Sequence, residues 1–279
     1  MVGRARLAPN HAGAHFLRDR GVAAELVRRA GVGPGDLVLD LGAGDGAITA
    51  ALAAAGARVI AIERDARLTR CLERRFTAGQ VTVVHGDARQ VPLPRRPYRV
   101  VASIPFAITA ALLRRLLDDP LSALAGADLL VEWGMARRLA AARPRDLATA
   151  WWVARFDLRL QRRVPATCFR PPPLVDAAHL SVRPRALAGD PRGQRLLRSM
   201  LRAAFAHPRQ PLLTVARGTR PGAQRSHRSL CRVLVAAGLG PTAPAASPTG
   251  AQWQALVLEL LAAAGRDLRA GTRRSPTGR

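Results

Sequence analysis

"LVLDLGAGDGAITAALAAAGARVIAIE", residues 37–63, decides the fold. The run 37–42 is a short apolar strand ending at glycine, 46–56 reads as a helix, and 57–63 is a second apolar strand ending on Glu63. Upstream, "VAAELVRRAG" (22–31) carries apolar residues at helical spacing and stops at Gly31, and "GPGD" (33–36) is a turn. Downstream come a helix over 66–76, strands at 81–87 and 98–104, a helix at 109–119 and an apolar strand at 127–133. Short apolar strands alternating with helices describe an α/β protein with a parallel sheet covered on both faces. Ligands of such sheets bind beyond the C-terminal strand ends. Gly42–Gly46, Glu63, Asp87 and Ser103–Phe106 all fall there.

After Pro184 the pattern changes. Helical runs at 193–207, 224–238 and 252–265, separated by Pro/Gly turns, predict a small all-helical domain over 185–265. Residues 1–14 read as a basic N-terminal arm, 15–184 as the α/β domain and 266–279 as a disordered basic tail. The 279 residues are 48% hydrophobic, enough for a real core and too much for global disorder. All 44 basic residues are Arg, against 19 acidic ones, for a net charge of +25. A GC-rich coding bias accounts for Arg in place of Lys but not for the excess. So large an excess points to a polyanionic partner, because Arg both pairs with phosphate and stacks on bases.

Cys71, Cys168 and Cys231 lie far apart with no Cys-x-x-Cys pair, which excludes a disulfide framework and a Cys-based zinc site. His11 and His15 have no acidic residue between them, so no metal site is expected. With no apolar leader and no run able to span a membrane, the expectation is a soluble cytoplasmic protein.

The turn "DLGAGDG" (40–46) leaves a strand and opens a helix, so a ligand can approach its backbone closely. Its Gly-x-Gly-x-Gly spacing is not the Gly-x-Gly-x-x-Gly of dinucleotide binding, and alone it also suits a plain tight turn. Glu63, some twenty residues on, sits where a carboxylate takes both ribose hydroxyls. Asp87, in "GDA" after the third strand, is placed to accept from an adenine amine or to serve as an ordinary turn residue. The set fits a cofactor such as S-adenosylmethionine better than a dehydrogenase's. In "VVASIPFAIT" (100–109), Pro105 stiffens a turn at a strand end. Methylating an exocyclic adenine amine requires acceptors on both amino hydrogens, so that the nitrogen lone pair is freed from the ring. A backbone carbonyl and a side-chain oxygen in such a turn supply them. Phe106 either stacks on a flipped base or packs into the core.

The order "HFL" (15–17), "DLGAGDG", "IE", "GDA" and "SIPF" resembles the ribosomal RNA adenine-N6 methyltransferases. "CFRPPPLVDAAHLSVRPR" (168–185) resembles that family's Phe-x-Pro-x-Pro-x-Val-Asp signature, as Phe169, Pro171, Pro173, Val175 and Asp176. The resemblance covers residues 13–185, more weakly the helical region. The Trp151–Trp152 pair in "ATAWWVARFDLRLQRRVP" (148–165), itself expected in the core, looks like the Erm-type branch. Members of that branch methylate 23S rRNA and confer macrolide, lincosamide and streptogramin B resistance. The other branch dimethylates small-subunit rRNA.

The resemblance implies a Rossmann-like methyltransferase sheet with a C-terminal helical RNA-binding domain. It also implies S-adenosyl-L-methionine as cofactor, and a monomer acting on 23S rRNA, naked or in an assembling large subunit. His15 and Leu17 would edge the cofactor site, and Gly42 and Gly44 would line its methionine and ribose end. Glu63 would hold the ribose, Asp87 the cofactor adenine, and Ser103 would border both cofactor and target. Ser103 and Pro105 would receive the target amine, and Phe106 and Phe169 would stack on opposite faces of the target base.

Two departures stand out. Ala14-His15 replaces the family's Gln-Asn or Gln-His, and Ser103 replaces its Asn. A serine hydroxyl still accepts a hydrogen bond but reaches less far than an amide, so slowed second methylation is the expectation. No strong general base is evident; Asp45 sits near the turn without an assigned role. Two other readings remain. An RNA-binding relative disabled at Ser103 would bind cofactor without transfer. A small-molecule methyltransferase would be less basic and would lack the Pro-rich signature.

Overall fold

The computed structural model describes residues 15–76, 79–219 and 225–272, so the expected basic arm at 1–14 lies outside the described residues. The described chain begins with β1 (Phe16–Leu17) and α1 (Arg20–Ala30). Asp19 caps α1 by accepting from the Gly21 and Val22 amides, and left-handed Gly31 ends it where expected. Then follow β2 (Leu37–Leu41), α2 (Ala47–Ala54), β3 (Arg58–Glu63), α3 (Ala66–Arg75), β4 (Val81–His85), β5 (Tyr98–Ser103), α4 (Thr109–Leu117) and β6 (Leu124–Glu132). Each matches a run read from sequence to within three residues, because each is an uninterrupted apolar or amphipathic segment. Strands β2 to β6 are parallel, in the order β4-β3-β2-β5-β6.

The sheet is not parallel throughout. Beyond α5 (Trp133–Leu139) and α6 (Leu147–Arg155), β7 (Phe156–Val164), β8 (Phe169–Arg170) and β9 (Ala177–Pro184) follow with only a 3-10 turn, Ala166–Cys168, between them. β9 joins β6 antiparallel and β7 completes the edge, giving seven strands. A parallel partner would need a long crossover, and residues 165–176 supply none. His179 and Ser181 interrupt the apolar run of β9, which hides it from a hydropathy reading. β8 instead pairs with β1 in a separate two-stranded ribbon.

The chain divides into two units. The first, α/β unit holds the residues up to Leu117, Ser122–Ala140 and Leu158–Arg183. The second, helical unit holds Asp118–Leu121, Ala141–Asp157 and the chain from Pro184. The division is therefore not one cut after Pro184: two earlier segments join the helical unit.

In that unit α6 packs with α7 (Pro191–Ala206) and α10 (Gly250–Thr272), and α8 (Leu212–Arg217) and α9 (His227–Ala236) complete it. The Trp151 and Trp152 indoles donate to the Asp118 carbonyl (3.1 Å) and carboxylate (2.6 Å), and both rings are buried. Arg155 stacks on Trp151 at 4.4 Å and donates to the Asp119 carbonyl, and burial pulls its pKa down to about 10. These bonds attach 118–121 to helices distant in sequence. Residues 266–272, expected as disordered tail, continue α10, and 273–279 lie outside the described residues. Among the described residues no helix is long and apolar enough to cross a membrane.

The α/β unit buries one charged cluster where β6 meets β9. Asp128 bonds His179 Nε2 and pairs with Arg183 Nη2, each at 2.8 Å, and is itself nearly inaccessible. Removing Asp128 strands the buried His179 without its partner, while Arg183 reaches water. Asp128→Ala is expected to destabilise the fold by roughly 3–5 kcal/mol in urea unfolding. Glu25→Ala, which breaks only exposed pairs with Arg28 and Arg29, should leave the midpoint nearly unmoved.

Candidate active site

After β2 the chain connects to β3 and β4 on one side, and then crosses to β5 on the other. At that switch point the strand ends splay, and a pocket of about 470 Å³ opens there. Its floor is the glycine turn. The Gly42 and Ala43 amides both donate to the Ile62 carbonyl (2.8 and 3.0 Å), hanging the turn from β3. Gly44 has φ +59°, and a Cβ there would lie 2.9 Å from the Phe16 ring. Gly46 has φ +82°, and its Cβ would strike Leu72. Both positions need glycine for conformation and for space.

Glu63 ties this turn to the next. One carboxylate oxygen accepts from the Gly44 amide and the other from the Asp65 amide, each at 2.8 Å. Each oxygen keeps a lone pair for a hydroxyl. Asp87 lines the same pocket, but both its oxygens accept from Arg89, at 2.5 to 3.0 Å. That guanidinium holds the Asp87 carboxyl down at about 2. Arg89 is a partner that sequence reasoning missed, although its place two residues on is the available signal.

Asp40 was missed too. It is buried in β2 beneath the turn, where it accepts from Thr49 Oγ1 at 2.7 Å. Burial pushes its pKa up to about 7 against that hydrogen bond. Asp45 also lines the pocket, and burial raises it as well.

His15, Leu17, Gly42, Gly44, Glu63, Asp87, Ser103 and Pro105 all line this one pocket. His15 is held by a 2.8 Å bond between Nδ1 and the Pro171 carbonyl. Ser103 ends β5, and the Ile104 amide donates to Leu130. The Pro105 carbonyl is already occupied, accepting from the Ile108 amide (3.0 Å) and Thr109 Oγ1 (3.2 Å). Both lone pairs of the Pro105 carbonyl are thus engaged within the turn, against its expected role as acceptor.

The aromatic pair departs further from expectation. Phe106 is half-buried against the core, 6.2 Å from the His15 ring, and does not line the pocket. Phe169 is only 2% exposed. In the β1–β8 ribbon it pairs with Leu17, and both point into the core, while Phe16 pairs with Arg170 on the opposite face. Phe169 is thus enclosed in the core and does not line the pocket.

A family model for ribosomal RNA adenine dimethylase matches residues 8–237. The chain belongs to that family. It is 39% identical over 211 residues to the mycinamicin-resistance protein MyrB of Micromonospora griseorubida, across 75% of this chain and 67% of that one. To ribosomal RNA small subunit methyltransferase A of Phenylobacterium zucineum it is 34% identical over 243 residues, across 84% and 81%. The crystal structure of the 23S rRNA methyltransferase ErmE superposes with a TM-score of 0.71 at 26% identity, covering 88% of this chain and 99% of that one. A Plasmodium falciparum dimethyladenosine transferase shares the fold, with a TM-score of 0.66 at 20% identity.

The protein is thus an rRNA adenine methyltransferase whose cofactor is S-adenosyl-L-methionine. The pocket fits that molecule. Ile48, Ile62 and Leu68 give it apolar walls, and Asp40, Asp45, Glu63 and Asp87 surround the space with groups suited to a cation. The Gly44 turn leaves room that a Cβ would fill.

Glu63→Gln puts an amide donor against one of two backbone N–H groups. Affinity for S-adenosylhomocysteine, measured calorimetrically, should fall about tenfold or more. For Asp40 the folded pKa lies above the unfolded one, so its stabilisation is full below about pH 4 and is lost as pH rises toward 7. Thermal melts of Asp40→Asn should exceed wild type at pH 8 by up to about 4 kcal/mol, the gap closing as pH falls to 4.

Proposed function

We propose that this protein methylates the N6 amine of one adenine in 23S rRNA and thereby confers macrolide, lincosamide and streptogramin B resistance. The observation that carries the reading is the Ser103–Pro105 turn, placed at the end of β5 on the wall of the cofactor pocket. The 39% identity to a protein named for mycinamicin resistance supports the 23S target, as does the superposition on ErmE along nearly all of its length. The protein acts in the cytoplasm as a monomer, and its helical unit contributes to RNA binding. A small-subunit rRNA target is the second reading, supported by the longer alignment to a small subunit methyltransferase.

The bound cofactor supplies an electrophilic methyl group on a sulfonium. Ser103 Oγ and the Ile104 carbonyl accept the two amino hydrogens of the flipped adenine, so the nitrogen lone pair faces the cofactor rather than the ring. The short hydroxyl of Ser103 grips the amine less firmly than an asparagine amide would. Phe106, at the rim beside His15, takes one face of the base. The proton displaced when the N–C bond forms leaves to water, since Asp40 is enclosed beneath the turn. After one transfer the amine offers a single hydrogen, and the weaker hold favours monomethyladenine as the main product.

Mass spectrometry of rRNA from expressing cells, paired with macrolide susceptibility, tests this. The expected result is one modified 23S adenine, mainly monomethylated, with raised macrolide tolerance, and a larger dimethyl share in Ser103→Asn. Modification of small-subunit rRNA alone would select the second reading. Quantitative dimethyladenine from the wild type would refute the role given to Ser103.

A further inference from the structure

A second cavity, of about 590 Å³, opens beside the cofactor pocket in the α/β unit. The two share Phe16, Leu17, Asp45, Ala47 and Leu68 in their linings, so Phe16 and its neighbours form a partition. The linings differ sharply in charge. Asp40, Asp45, Glu63, Asp65 and Asp87 outnumber Arg64, Arg67 and Arg89 around the cofactor pocket, whereas Arg18, Arg20, Arg75 and Arg170 surround the second cavity with Asp45 as its one acidic residue. Alanines of α1 and α2, including Ala23, Ala24, Ala50 and Ala51, make its back wall smooth and shallow.

Three of these four guanidinium groups have no partner among the described residues. Arg75 donates to the Asp45 carbonyl at 2.7 Å and lies over Phe76. Arg18, Arg20 and Arg170 have no side-chain hydrogen bond or ion pair among the described residues. Nearby acids are engaged elsewhere: Asp19 caps α1, and Glu25 holds Arg28 and Arg29. Elsewhere in this unit Asp87, Asp176 and Asp128 pair with Arg89, Arg163 and Arg183. Four like charges gathered at one cavity with a single carboxylate repel one another, and an anion bound among them reduces that repulsion.

Two anions come within reach: the carboxylate of the cofactor and a phosphodiester of the RNA. The partition and the carboxylate-rich lining disfavour the first. The second follows from connectivity, since an adenine delivered to the Ser103 turn brings a phosphate and a neighbouring nucleotide with it. Phe16 borders both cavities, and its ribbon partner is Arg170. A nucleotide beside the target base therefore meets an aromatic ring, an apolar alanine wall and three free cations.

We propose that this cavity seats the nucleotide adjoining the target adenine, with its phosphate held by Arg18, Arg20 and Arg170 and its sugar or base against Phe16 and the alanines. The inference rests on the reading of the Ser103 turn as the receiver of a flipped rRNA adenine. It adds a positioning contact for the strand that carries the target adenine.

The test is a salt titration of RNA binding, using an rRNA transcript, for wild type, the triple variant Arg18→Ala/Arg20→Ala/Arg170→Ala, Arg170→Gln alone and the exposed control Arg96→Ala. The slope of log affinity against log salt should flatten by about 0.7 in the triple variant, as expected for the loss of one single-stranded phosphate contact, and by less in Arg170→Gln. Arg96→Ala should keep the wild-type slope. Affinity for S-adenosylhomocysteine should stay within about twofold of wild type in all of them. If the wild type methylates rRNA while the triple variant keeps its slope, this inference alone is overturned. If cofactor affinity falls and the slope does not, the cavity serves the cofactor carboxylate instead. If the wild type methylates no rRNA, the underlying reading fails and takes this inference with it.

Discussion

The carboxylate of Glu63 is the constraint on which the site is built. It is buried, and its two oxygens accept one backbone N–H from the turn after β2 and one from the turn after β3. A buried carboxylate is costly unless such donors satisfy it, and charge-assisted bonds to backbone are among the stronger ones. The two turns are therefore locked to each other through one side chain. That lock holds Gly44 in its left-handed conformation, close under Phe16. Phe16 in turn belongs to the ribbon that places Leu17 and Phe169 in the core and Arg170 outside. Cofactor floor, partition and basic cavity thus share one anchor.

The charge of the α/β unit is sorted by depth. Five carboxylates line the cofactor pocket beside Arg64, Arg67 and Arg89, while four arginines line the cavity beyond the partition. The burial that raises Asp40 and the guanidinium that lowers Asp87 act on the two sides of one small space. A cationic cofactor and a polyanionic substrate need opposite surroundings within one reaction site.

Much of this was legible in the residues. The apolar runs of β2 to β6 and the glycine-rich turn are local patterns, and their positions in sequence nearly coincide with their positions in the structure. The site residues from His15 to Pro105 lie at strand ends, and a sheet with this connectivity has to bring strand ends together. What escaped was set by contacts between distant segments. β9 is concealed because His179 and Ser181 sit inside it to meet Asp128 and Gln161 across the sheet. The helical unit claims residues 118–121 because two indoles reach Asp118, a bond with no local signature. The six-residue α8 is too short for its periodicity to rise above the flanking prolines.

The same division holds within the site. By itself the sequence determined that a glycine turn, an acid after the next strand and a Ser-Ile-Pro-Phe turn would meet beside a cofactor. These depend on residue type and on the hand of β-α-β crossovers, both of which are encoded locally. Only the tertiary structure decided which atoms remain available. The Pro105 carbonyl is occupied by the turn that follows it, and Phe169 is rotated into the core by its pairing with Leu17. Hydrogen-bond occupancy and side-chain direction depend on partners many residues away, and those partners are chosen when the chain packs.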